Sequence, residues 1–357
     1  MKDKALFIST KNLDYIRNVQ EIKRLGESYT SCRIIGSYSK SYFVRLCKVY
    51  TEILFTKMSE FDIIWVGFAP QLVLPLFWKF RGKKVVIDFF ISLYDTICFD
   101  RKLISPKGIF GRMLYKLDRL TLEGADEIIC DTKAHKNYFL EEFKVKNKEY
   151  NVLYLEADTS LFYPRKEKRP LSLEEKFIVL YFGTILPLQG VEVILSAVDL
   201  LKEEKELHVF IIGPMKEELK KGAPKAENIT YIDWLSGKDL ARYIAMADLC
   251  LAGHFHGEIS KARRTIPGKA YIFKAMEKKI ILGDNQANNE IFKKDDNTFF
   301  VPMGNPVRLA EMILLIKNIK RNGEEKENEK VNKTDSYDCI GSDDVYDIES
   351  KPIGSGK

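Results

Sequence analysis

The feature that most limits what this chain can fold into is an alternation of short apolar runs with longer amphipathic stretches, repeated twice along 357 residues. In the first half the runs are ALFIST, CRIIG, FDIIWVGF, KKVVIDFF, DEIICDT and YNVLYL. They lack the strict in–out alternation of a half-exposed strand, so each reads as a strand covered on both faces. Between them, residues 15–25, 42–58, 111–122 and 133–143 carry apolar positions at helical spacing. Strand, helix and strand in succession call for crossover connections, hence a parallel sheet with helices on both faces.

The pattern breaks at residues 158–176, DTSLFYPRKEKRPLSLEEK, which are polar and hold two prolines, and it then restarts. FIVLYFGT, HVFIIG, ITYIDW, DLCLAG, KIILGD and TFFVP read as strands, with helices over 191–201, 240–246, 269–276 and 306–319. The expected architecture is therefore α/β, with two Rossmann-like doubly wound domains at 1–157 and 177–320, joined by a linker at 158–176. Residues 321–357 are charged and poor in aromatics, and are expected to form a disordered tail. Ligands of doubly wound sheets sit outside the carboxyl ends of the strands. Two such sheets facing one another place the site in a central cleft between them.

Composition narrows the chemistry. Cys32, Cys47, Cys98, Cys130, Cys250 and Cys339 form no CxxC pair, and four histidines are dispersed, so neither a disulfide framework nor a zinc cage is legible. The opening MKDKALFIST reads as a first strand rather than a signal peptide. Residues 63–78 are apolar but contain Gly67, Pro70, Gln71 and Pro75 and fall short of the ~20 residues that span a bilayer, so they read as a buried strand followed by a core helix. A cytoplasmic protein is expected. The net charge is +6, and the stretch from Arg321 carries −4, which leaves +10 on the body. A basic body suits phosphorylated ligands, an anionic membrane surface or nucleic acid, and charge alone does not choose. The stretch around residues 42–57 interleaves Lys40, Arg45, Lys48 and Lys57 with Phe43, Leu46, Leu54 and Phe55, as a helix resting on anionic lipid does, or a core helix with a solvated basic edge.

Several common sites are missing: no GxGxxG, no GxxxxGK[ST], no GxSxG and no Asp-x-Asp pair occur. What remains must neutralise phosphate with side chains and backbone N–H groups. Three segments of the second half can do so. In YFGTILPLQGVEVILSAVDLL, Gly183 lets the backbone approach a ligand and the helix after Gly190 offers unpaired N–H groups to a diphosphate. HVFIIGP ends a strand at Gly213 and Pro214. Ahead of the helix that begins near IPGK, Lys261, Arg263, Arg264 and Lys269 crowd together. Cations are unfavourable at a helix N-terminus, which suggests an anion among them. An ordinary glycine turn and a solvated basic loop are the plainer alternatives.

These segments in this order resemble the family-four group of GT-B glycosyltransferases, especially bacterial members that build surface polysaccharides such as capsule. The resemblance runs from about residue 61 to 314 and rests on DFFISLYDTICFDRK, ADEIICDTKAHKNYF, DTSLFYP, YFGTILPLQGVEVILSA and the IPGK helix. It implies that the second domain binds a nucleoside diphosphate sugar and the first presents a glycan or lipid-linked acceptor. No metal, no further cofactor and no nucleic acid partner are implied. Gly183, Thr184, Gln189 (where many relatives carry lysine) and Gly190 fall at the diphosphate. Gly213, Pro214 and Trp234 border the base, with Arg264, Tyr271 and Ile272 also on the donor side. Lys269 becomes the leading cation for the departing diphosphate. Asp88 and Asp95 face the acceptor, where a carboxylate orients or deprotonates a hydroxyl; the structural alternative is that they cap the local loop.

The chain also departs from that group. Many relatives carry two glutamates, the second on the helix; here those positions are Arg264 and Ile272. Glu277 and Lys279 replace a usual Gly and Pro, and LYLEAD lacks a glycine before Asp158. No apolar pattern after Lys320 supplies the usual bracing helix. A non-catalytic relative that binds a nucleotide or a partner therefore stands as the alternative, and a two-domain solute receptor, which requires export, as a third.

Overall fold

The structure, a computed structural model, describes residues 4–338. Strands β1 (Lys4–Asn12), β2 (Ser31–Ser37), β3 (Ile63–Val66), β4 (Lys84–Asp88), β5 (Glu127–Cys130) and β6 (Glu149–Val152) form one sheet in the order β2-β1-β3-β4-β5-β6, every pair parallel. The chain steps outward from β1 to β2 and then returns across β1 to β3. Because side chains alternate across a strand, Ala5 and Phe7 point to one face and Leu6 and Ile8 to the other. The first face packs under helix α1 (Ile16–Ser28). The second lies under α2 (Tyr42–Phe55), α3 (Ile109–Glu123) and α4 (Lys133–Phe143). The sequence starts these helices locally: Ser41 and Thr132 each cap a first turn, accepting from Val44 and His135 N–H.

The second sheet has the same logic. Strands β7 (Phe177–Phe182), β8 (Leu207–Ile212), β9 (Ile229–Ile232), β10 (Leu249–Gly253), β11 (Lys279–Gly283) and β12 (Thr298–Val301) run parallel in the order β12-β11-β10-β7-β8-β9. Its helices are α5 (Val191–Leu200), α6 (Glu217–Gly222), α7 (Gly237–Met246), α8 (Gly268–Ala275), α9 (Asn288–Ile291) and the start of α10 (Pro306–Asp338). The strand order reverses between β7 and β10, so the crevice at their carboxyl ends is where such a sheet accepts a ligand.

Two local expectations change. Residues 70–72 and 74–80 form short 3-10 turns instead of one core helix. Pro70 and Pro75 supply no N–H and each sits in the first turn of its own short segment, with Ala69 left-handed before the first. The tail also differs in its first part: residues 321–338 continue α10, where Glu and Lys favour a helix and no proline intervenes. The remainder of the expected tail, with Cys339, lies outside the described residues. Among the described residues no helix is long and apolar enough to cross a membrane.

Both sheets belong to one compact unit that runs to Ala310. Within it, Asp118 on α3 organises the loop after β4. Its carboxylate, fully buried, accepts from Ser92 Oγ at 2.6 Å, Gln71 Nε2 at 2.8 Å and the N–H groups of Tyr94 at 2.9 Å and Leu93 at 3.2 Å. Ser92 Oγ in turn receives the Asp95 N–H at 2.9 Å and starts a π-helical turn at Asp95–Asp100. Asp118→Ala strands four donors, and is expected to lower the urea midpoint by the equivalent of about 2–4 kcal/mol. The same variant should expose the 89–95 loop to proteolysis.

Candidate active site at the switch point of the second sheet

Three strand ends meet where β7, β8 and β10 stop. Gly190 holds φ +66°, and a Cβ there would lie 2.4 Å from the backbone nitrogen of His256. That close approach lets Phe255 N–H donate to the Gln189 carbonyl at 3.0 Å, closing the turn after β7 onto the loop after β10. At Gly213, with φ +140°, a Cβ would meet the Gly183 carbonyl oxygen at 2.1 Å. Only glycine permits either contact. The result is a floor of bare backbone at the sheet's carboxyl edge.

Lys269 enters this floor from the first turn of α8. It is 6% exposed, and its Nζ donates to Gln189 Oε1 at 2.5 Å and lies 4.1 Å from the centre of the Tyr181 ring. The Tyr181 hydroxyl donates to the same Oε1 at 2.5 Å. No carboxylate among the described residues pairs with Lys269, and burial pulls its pKa down to about 7. Beside it the His254 ring is held near a pKa of about 3, first by burial and then by the Lys269 charge, so it is neutral. Its Nδ1 is 3.3 Å from Thr265 Oγ1.

The structure thus gathers Gly183, Gln189, Gly190, Gly213 and Lys269 at one place. Thr184 and Pro214 are exposed just beyond β7 and β8, and Trp234, 75% exposed, follows β9 on the same edge. Tyr271 turns the other way, toward the first half, where it lines a cavity with Tyr15 and Arg17. Ile272 packs against the apolar core of the second half.

The other expected cations do not converge on an anion site. Arg264 makes a two-pronged ion pair with Asp95 of the first half, at 2.9 Å to each oxygen, and its guanidinium lies 3.6 Å from the centre of the Tyr138 ring. Lys261 donates to Thr96 Oγ1 at 2.8 Å and lies 3.9 Å from Asp100. Arg263 donates to the Gly257 carbonyl at 2.9 Å. Two of the crowded cations, Arg264 and Lys261, thus meet carboxylates of this chain's own first half. Around them, Thr132 Oγ1 donates to the Arg264 carbonyl, and Glu290 accepts from the N–H groups of Lys133 and Ala134 at the start of α4.

Asp88 is engaged in the same way. Both of its oxygens bind Arg17, at 3.0 and 2.9 Å, with no exposed surface. A carboxylate gripped on both oxygens has little left for an acceptor hydroxyl. Asp88 and Asp95 stand in this structure as the buried halves of ion pairs, because a charge removed from water needs a partner. Sequence reasoning missed Arg17, Tyr181, Tyr138 and Glu290. One signal was available for the first: α1 turns Arg17, Asn18, Gln20 and Glu21 inward, polar groups on what is ordinarily the apolar face of a helix. Among the described residues no three His, Cys, Asp or Glu side chains come together as metal ligands.

Residues 176–318 match the family described as "Glycosyl transferases group 1". Over 289 residues the chain is 30% identical to the probable glycosyltransferase WbjE of Pseudomonas aeruginosa, which covers 75% of this chain and 70% of WbjE. It is 21% identical over 282 residues to spore coat protein SA of Bacillus subtilis strain 168, covering 72% of this chain and 69% of that protein. Among solved structures, sucrose-phosphate synthase from Thermosynechococcus elongatus has a TM-score of 0.66 at 14% identity, over 89% of this chain and 90% of the other. Anabaena HepE in complex with UDP-glucose has a TM-score of 0.60 at 13% identity, over 89% and 91%. The two facing parallel sheets are thus of the GT-B class. The chain belongs to the GT-B glycosyltransferases of group 1.

Arg264→Ala leaves Asp95 buried and unpaired, and is expected to cost about 3–5 kcal/mol in urea unfolding. Pairing Asp95→Asn with Arg264→Gln should recover most of that loss, and a double-mutant cycle should show strong coupling.

Proposed function

We propose that this chain transfers a sugar from a nucleoside diphosphate sugar to a glycan or lipid-linked acceptor, without a metal ion and with retention, in the building of a surface polysaccharide. The observation that carries the reading is Lys269, buried at the glycine floor with no counter-charge. Burying an amine away from any carboxylate is unfavourable for the unliganded protein, and a diphosphate set against Gly183 and Gly213 would supply the missing anion. As the bond between sugar and diphosphate breaks, negative charge grows on the leaving phosphate oxygen, and a cation fixed in a dry site stabilises it. Gln189 supports this assignment: standing where many relatives carry lysine, it accepts from Lys269 and aims it, so one ammonium serves the diphosphate. Thr184, Pro214 and Trp234 would border the rest of the nucleotide. HepE was solved with UDP-glucose, so UDP-sugars are the first donors to try.

Two exposed aromatics on α2, Phe43 at 75% and Phe55 at 87%, lie among Lys48 and Lys57. They support a resting contact with anionic lipid, and flotation with anionic liposomes tests it.

A second reading has its own observation. The two family glutamate positions hold Arg264, tied to Asp95, and Ile272, packed in the core. Both have taken structural duty, which favours a relative that binds a nucleotide without transferring sugar. The readings part in one assay: purified protein with UDP-, GDP- and dTDP-sugars and a membrane lipid extract, followed by nucleoside diphosphate release. Release from one donor supports transfer; binding without release supports the second reading.

Lys269 also sets a pH dependence. Free, it is charged only below about pH 7; with an anion bound, its pKa rises. Nucleotide affinity is therefore expected to be flat below pH 7 and to weaken above it, with about one proton taken up per nucleotide, readable by calorimetry in buffers of different ionisation enthalpy. In the unfolded chain an ordinary lysine titrates near ~10.4. The unfolded state thus holds more protons between these values, and stability rises with pH across that window. Lys269→Met removes the penalty: its Tm at pH 7 should rise by a few degrees while nucleotide affinity falls at least about tenfold.

A further inference from the structure

We propose that Asp131, at the carboxyl end of β5, is the carboxylate that receives the acceptor's attacking hydroxyl, with His135 as its positioning residue; this rests on the transferase reading above. Of the aspartates at the first half's cleft edge, Asp88 and Asp95 have both oxygens held by arginines, and Asp100, 3.9 Å from Lys261, is buried with no opening to solvent for its unpartnered Oδ1. Asp131 differs. Its Oδ1 meets His135 Nδ1 at 2.8 Å, no donor among the described residues holds Oδ2, and its side chain keeps 19% exposure.

That exposure opens into a cavity of about 50 Å³ where the two halves meet, lined by Tyr15, Arg17 and Phe90 on one side, Ile266 and Tyr271 on the other, and Leu155 of the connection. The space suits one hydroxyl-bearing edge of a sugar and not a whole ring. It adjoins the entrance of α8, which delivers Lys269 to the glycine floor. Charge places Asp131 at the same junction, because it acts on Arg17 and Tyr15 of the first half and on Lys261 and Tyr271 of the second.

Among the described residues the His135 ring makes no other hydrogen bond. Its side chain is fully buried and stacked 4.3 Å from Phe139, and Nε2 has no hydrogen-bond partner. A buried unsatisfied nitrogen is unfavourable, yet with the proton on Nδ1 the ring donates to Asp131 and fixes that carboxylate's rotamer. In the reaction the hydroxyl oxygen forms the new bond to the donor's anomeric carbon. The bond to the diphosphate breaks with its electron pair on the departing phosphate oxygen, the hydroxyl enters on the face that oxygen vacates, as retention requires, and the hydroxyl proton passes to Asp131. Losing a positioned proton acceptor commonly costs 10²–10⁴-fold in rate.

The test uses the full-length protein, a donor that supports transfer and its acceptor. Asp131→Asn should keep UDP affinity within about twofold by calorimetry while transfer falls at least about 100-fold. His135→Asn, whose amide can still reach Asp131, should retain far more activity than His135→Phe. An Asp131→Asn enzyme that folds and transfers within threefold of wild type overturns the proposal. If that variant does not fold, equal rates for the two His135 variants overturn it, and a large difference between them upholds it. A wild-type chain that transfers nothing from any donor sinks the transferase reading and this assignment together; an active wild type with an indifferent Asp131 sinks this assignment alone.

Discussion

Taking a charge out of water costs several kcal/mol unless an opposite charge or a set of dipoles replaces the solvent, and that constraint sorts the side chains of this cleft. Arg17 with Asp88 and Arg264 with Asp95 satisfy it inside the protein. Lys269 does not: its neighbours are an amide oxygen and an aromatic face. Satisfied pairs hold the framework, and Lys269 is left with no carboxylate partner among the described residues.

The same pairs explain why two sheets behave as one unit up to Ala310. The basic turn at Ser260–Arg263 and the Arg264 that follows it reach across to the π-helical turn at Asp95–Asp100. Glu290 and Thr132 tie α4 to the second half. Arg264 thereby acts as a clasp on the opposite half.

Much of the fold was legible before any coordinates. Strands buried on both faces cannot alternate in polarity, so their apolar runs stood out, and each run from ALFIST to TFFVP overlaps a strand of one of the two sheets. In the sequence Gly183 reads as letting the backbone approach a ligand; what the structure shows is its close approach to Gly213. The turns at residues 70–80 were harder, since an apolar composition suits a helix and only the two prolines argue otherwise. The roles of Asp88 and Asp95 were not legible, because an aspartate after a strand looks the same whether it faces a substrate or an arginine far away in sequence.

What the sequence by itself determined is what depends on neighbours a few residues apart: strand and helix periods, caps such as Ser41 and Thr132, and glycines where a Cβ would collide. What only the tertiary structure decided is the partner of each charge. Arg17 and Asp88 are 71 residues apart and Arg264 and Asp95 are 169 apart, and no local pattern records such a pairing. The energy of a buried charge is set by whatever lies within a few ångströms of it once the chain has folded. That is why Lys269 and Arg264, five positions apart and alike in charge, ended in opposite surroundings, one beside an amide oxygen and an aromatic ring and the other against a carboxylate.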